Sequence, residues 1–156
     1  MHRATSIAIL ALSVLSACRP AQPSAEQDSR SPVTAGMTTI TLPPELDRIL
    51  RDYERQWRAK NATGLAALFT PDGFVLPSNE PPARGTAGIE KAYAGNGGPL
   101  TLAALAYAVD DTVGYIIGTF GGPDVTQHSG KYVLALRRVP GGPWLIAADM
   151  DNGNSR

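Results

Sequence analysis

From Gly97-Gly98-Pro99 onward, the chain offers four strand-length runs in succession with no helix between them. The runs cover residues 100–110, 112–121, 126–139 and 144–151. Turn-forming sequences separate them: Asp110-Asp111, Gly121-Gly122-Pro123-Asp124 and Pro140-Gly141-Gly142-Pro143. Links this short return the chain to an antiparallel neighbour, because a parallel neighbour needs a crossover of a dozen residues or more. The second half of the chain is therefore a meander, and one face of it must be covered.

The cover comes from upstream. Pro43-Pro44 opens a helix, since proline is tolerated in a first turn. Leu46, Ile49, Leu50, Tyr53 and Trp57 then recur at helical spacing and form one stripe. Asp47–Arg51 and Glu54–Arg58 are spaced to pair on the opposite face. Asn61 caps a second short helix containing Leu65, Leu68 and Phe69. Pro71-Asp72-Gly73 reads as a turn, and Phe74-Val75-Leu76 as a short strand. A proline-rich loop leads to a third helix over 86–94, with Ile89 and Tyr93 inward. The expected class is α+β: three N-terminal helices packed on one face of a curved antiparallel sheet.

Before residue 42 the texture differs. Met1-His2-Arg3 is short and basic, residues 7–15 are apolar, and Ser16-Ala17 precede Cys18. This three-part layout is that of a secretory signal, and the apolar run is too short to span a bilayer comfortably. Leu15-Ser16-Ala17-Cys18 resembles a bacterial lipobox, which implies cleavage before Cys18 and acylation of that cysteine. Buried acyl chains stabilise membrane anchoring by about 0.8 kcal/mol per methylene. Residues 19–41 are rich in Pro, Ser, Gln, Ala and Thr and read as a tether. The expected layout is a signal over 1–17, a lipidated cysteine and tether over 18–41, and one domain over 42–156. The expected location is the bacterial cell envelope, with the anchor in the membrane.

The charges limit the partners. The chain has 14 Lys+Arg and 14 Asp+Glu, and loss of Arg3 with the signal leaves it near −1. Basic residues are scattered and form no stripe, so no nucleic-acid partner is expected. Lys131, Arg137 and Arg138 read as part of an exposed face. Cys18 is the single cysteine, so no internal disulfide and no cysteine-based metal site can form.

Tyr53, the run Ala67-Leu68-Phe69-Thr70-Pro71-Asp72 and the run from Arg84 to Ala94 resemble the nuclear-transport-factor-2-like superfamily. Trp144-Leu145-Ile146 and Asp149-Met150-Asp151-Asn152 extend the likeness to the C-terminus. The nearest branches are the SnoaL-like and ketosteroid-isomerase-like domains. The resemblance implies a cystatin-like cone, in which a bent sheet wraps three helices around a pocket, and it implies a homodimer. Ketosteroid isomerases combine an aspartate base with an oxyanion hole of tyrosine and protonated aspartic acid. Tyr53 falls at the tyrosine position, but Pro77 falls at the base and Leu134 near the second acid. Proline accepts no proton, so the isomerase mechanism is not expected.

By the same resemblance, strand parity turns Tyr115, Ile117 and Thr119 into the cone, with His128, Tyr132 and Leu134. On the last strand it turns Leu145, Ala147, Asp149 and Asp151 inward. The candidate pocket thus holds Tyr53, Trp57, Tyr115 and Tyr132, with Asp149, Asp151 and His128 as candidate catalytic groups. The plainer alternatives are core packing for Tyr53 and Trp57, backbone bonding for Asp149, solvation for Asp151 and a rim position for His128. One histidine and two acids could hold a divalent metal, but no spacing demands one, so no metal or other cofactor is expected. Three readings follow. The domain binds a small apolar or amphipathic molecule or serves an accessory role. Alternatively it is an isomerase, cyclase or dehydratase with an aspartate base. Or it is a structural dimerisation module.

Overall fold

A computed structural model describes residues 38–123 and 128–154. The signal, Cys18 and most of the tether lie outside the described residues. Three helices and six strands follow in the order α1 (Pro44–Arg58), α2 (Ala62–Ala66), β1 (Phe69–Leu76), β2 (Ala83–Arg84), α3 (Gly85–Tyr93), β3 (Thr101–Asp110), β4 (Val113–Gly121), β5 (His128–Arg137) and β6 (Leu145–Gly153). The strands form one sheet in the order β2-β1-β6-β5-β4-β3.

The long helix α1 carries Pro44 in its first turn and buries Leu46, Ile49, Leu50 and Tyr53, the stripe read from the sequence. The Asp47–Arg51 pair forms at 3.3 Å. The expected Glu54–Arg58 pair does not. Glu54 is buried and pairs with Arg51 at 2.6 Å, while Arg58 reaches the Leu100 carbonyl. The Asn61 side chain accepts from the Gly64 amide at 3.0 Å and caps α2. Gly85, at φ +71°, makes the bend into α3 that a residue with a Cβ adopts only under strain.

The meander forms as expected, with β3, β4, β5 and β6 antiparallel in turn. Two features depart from expectation. First, β1 pairs parallel to β6, so the sheet is mixed. No hairpin joins these strands, and only tertiary folding brings them together; the Ile146 amide donates to the Leu68 carbonyl at 2.9 Å. Second, Pro71-Asp72-Gly73 is not a turn ahead of the strand. It lies inside β1, as an irregularity between Phe69, opposite Ile146, and Phe74, opposite Ala148. A local excursion absorbs the turn residues and the strand resumes.

The core fills the space between the helices and one sheet face. Leu46, Ile49, Leu65 and Ile89 meet Val75, Ile116, Leu134 and Ile146 there. Upstream of α1, the Ile40 amide donates to the Ala104 carbonyl at 2.9 Å, which lays residues 38–42 beside β3.

Candidate active site in the cone

The inner face of β4 and β5 is shaped by two glycine–aromatic pairs. Gly118 stands opposite Tyr132, and Gly130 opposite Phe120. A Cβ on Gly118 would run into the Tyr132 ring and the Ala103 carbonyl, and one on Gly130 into the Phe120 ring. Each glycine lets an aromatic ring lie flat across the neighbouring strand. Tyr132 and Phe120 then form one wall of a cavity of about 800 Å³. Tyr53 and Trp57 of α1, Tyr93 of α3, and Asp149 and Asp151 of β6 line it as well. Glu80, Pro81, Pro82, Lys91 and Asn96 line it too, and all five are exposed. A concave apolar site with a few convergent polar groups is the usual form of a small-molecule pocket.

The polar centre is a triangle of oxygens. Tyr53 donates to Asp149 Oδ2 at 2.9 Å, and Tyr93 donates to the same oxygen at 3.1 Å. The two tyrosine hydroxyls are 2.9 Å apart. Trp57 completes an aromatic cluster, stacked on Tyr53 and edge-on to Tyr93. Asp149 is 4% exposed, and among the described residues no donor reaches its Oδ1. Burial lifts the Asp149 carboxyl to about 6; the tyrosine hydroxyls hold it down in part, and the nearby Asp151 charge raises it. Burial also pushes the Tyr53 and Tyr93 hydroxyls up, with Asp149 adding to both, so they stay protonated donors. Burial likewise raises Tyr132, whose hydroxyl donates to the Ala103 carbonyl at 3.3 Å.

Asp151 is half-buried one step along the same face. Its Oδ1 accepts from the Ser78 amide at 3.3 Å, and the Ser78 hydroxyl donates to its carbonyl at 3.2 Å. These bonds tie β6 to the loop after β1. Pro77, at the position where the resemblance places a base, lines the cavity and offers no acceptor side chain.

Five of the seven candidates therefore meet at one cavity: Tyr53, Trp57, Tyr132, Asp149 and Asp151. Tyr115 does not. It pairs with Ala135 on the outer face and is 41% exposed, and Ile117 is 38% exposed beside it. Ile116, paired with Leu134, points inward instead. The expected parity fails here because Tyr115, Ile116 and Ile117 are all largely apolar, so the strand shows no alternation to fix its faces. On β6 a bulge between the Ala135–Ala148 and Leu136–Ile146 pairs turns Ile146 inward in place of Leu145 and Ala147. His128 lies four residues before Tyr132, about 13 Å along the strand, and does not line the cavity. Among the described residues no three of His, Cys, Asp and Glu gather as a metal site. Tyr93 is the functional candidate that sequence reasoning treated only as core; its spacing of four from Ile89 marks it as inward but not as a partner of Asp149.

No family model matches the chain, and no curated protein matches it in sequence. Solved structures do match in shape. A ketosteroid isomerase-like protein from Erwinia carotovora atroseptica superposes with a TM-score of 0.57 at 15% identity, over 70% of this chain and 94% of that one. A nuclear transport factor 2-like superfamily protein from Salmonella enterica serovar Typhimurium gives 0.57 at 18% identity, over 72% and 90%. A domain of unknown function with a cystatin-like fold from Nostoc punctiforme gives 0.55 at 13% identity, over 74% and 81%. The chain thus shares the cystatin-like fold of nuclear-transport-factor-2-like proteins, as the resemblance implied.

Proposed function

We propose that the domain binds a small, largely apolar molecule in the cavity and holds its polar end against Asp149. The observation that carries this reading is the state of Asp149. One of its oxygens is clamped by two tyrosines, and the other is left open beside a cavity of about 800 Å³. That second oxygen has no protein donor and is not itself sealed from the cavity, so it is free to accept from a ligand, whereas a purely structural aspartate would turn both oxygens to protein donors. A second reading, proton transfer in an isomerase, cyclase or dehydratase, is favoured by the carboxyl's rise to about 6. A group poised there can take and return a proton near neutral pH. Asp149 would be the base, with Tyr53 and Tyr93 stabilising its ionised form.

A second copy of the chain is the proposed partner at the outer sheet face. One row across that face is Ala106, Ile117, Val133, Met150 and Leu76; the next is Ala108, Tyr115, Ala135, Ala148 and Phe74. A solvated face would carry polar residues, and two apolar rows five strands wide form a patch suited to association. The lipobox-like sequence at Cys18 supports an envelope location with the domain on a tether.

Native mass spectrometry of the protein taken from its own host reads all three. The expected species is a dimer of chains beginning at an acylated Cys18, releasing a small molecule on activation. Chains retaining Met1 would contradict the anchor, and a monomer would contradict the outer-face partner. Protein that stays empty even after incubation with host extract would contradict binding.

A further inference from the structure

We propose that the cavity selects an organic cation: a protonated amine or quaternary ammonium head on an apolar body. This rests on the binding reading above and names the ligand class for that site. The first support is charge. Three lining residues are acidic (Glu80, Asp149, Asp151) and one is basic (Lys91), so the lining charge with every carboxylate ionised is 1 − 3 = −2. Glu80 and Lys91 are both exposed at the rim, where water screens them. The interior keeps buried Asp149 and half-buried Asp151, with no basic lining residue beside them.

The second support is hydrogen-bonding direction. The hydroxyls of Tyr53, Tyr93 and Tyr132 are all engaged as donors, to Asp149 or to the Ala103 carbonyl. Asp149 Oδ1 remains an open acceptor among the described residues. A carbonyl or carboxylate head would find these hydroxyls occupied and would face the carboxylates. An ammonium head donates to Oδ1 and neutralises it. The third support is the aromatic wall. Tyr53, Trp57 and Tyr93 pack with ring centroids 6.3, 6.2 and 5.9 Å apart, Trp57 perpendicular to Tyr93. Rings set at right angles present both faces and edges to the space beside them, and a cation is attracted to the faces.

Calorimetry on the purified protein with phenylbutylamine, phenylbutanol and phenylbutyrate tests the assignment, since one apolar body carries a cationic, a neutral and an anionic head. The amine is expected to bind about tenfold more tightly than the alcohol, with the carboxylate weakest. In Asp149→Asn, checked for folding by its thermal transition, the amine should lose most of that advantage. An alcohol equal to the amine, or a carboxylate tighter than either, overturns the cation assignment and leaves the pocket standing. Failure of all three probes at millimolar concentration overturns both.

Discussion

Asp149→Asn is expected to melt higher than the unchanged protein at about pH 8. The Asp149 carboxyl rises from 3.8 to about 6 on folding, so the folded state disfavours its charge. Stability from this group is complete below the unfolded value and is lost as pH rises through the folded one. Above that window the loss is about 3 kcal/mol, at about 1.4 kcal/mol per unit. Asparagine reproduces the uncharged acid: its carbonyl can accept from Tyr53 and Tyr93, and its amide faces the cavity. The substitution should therefore raise the melting temperature by roughly 10–15 °C at about pH 8, and the gain should vanish below about pH 4. Thermal scans across pH check it. A melting temperature lowered at about pH 8 but not below about pH 4 would mean that the charged form is what Tyr53 and Tyr93 are built to hold for stability. Such a cost is what the proposed ligand-binding role of Asp149 entails, in line with the trade of stability for activity seen at binding and catalytic sites.

The largest loss is expected at Glu54. Its Oε1 accepts from Arg51 at 2.6 Å and from the Leu102 amide at 2.7 Å, while Arg51 also donates to the Leu102 carbonyl at 2.8 Å. One ion pair on α1 thus satisfies both backbone groups of a buried residue on β3. Arg51 is 44% exposed on its side chain, so the ion pair itself adds little. The loss comes from the Leu102 amide, stranded without an acceptor. Glu54→Ala should reduce stability by about 3 kcal/mol, and Glu54→Gln, which keeps an acceptor, by about 1 kcal/mol. Urea unfolding at constant slope measures both. An alanine variant within about half a kcal/mol of the unchanged protein would show that α1 is held by its apolar stripe alone.

Local pattern carried much of this far. The α1 stripe, the Asn61 cap and the four-strand meander are short-range features, and each is legible in the residues that form it. The convergence of Tyr53, Tyr132 and Asp149 came from the resemblance, which set one inward residue per strand, and it carried to its neighbours where parity along β5 and the outer half of β6 is regular. What escaped reading depends on distant partners. The parallel β1–β6 pair has no turn to announce it. The Ala147 bulge reverses faces midway along a strand whose residues look uniform. The β4 faces are hidden because both are apolar, one against the core and one on the proposed partner surface. Glu54 looks like any exposed helix acid until β3 is laid against α1.

Carbon-13 titration of the Asp149 carboxyl, assigned by its disappearance in Asp149→Asn, tests the central claim most directly. A midpoint near 6 is the result of a buried carboxylate clamped on one oxygen and open on the other. A midpoint at or below the ordinary 3.8 would contradict it, showing an aspartate that is solvated or fully paired rather than buried beside an open cavity.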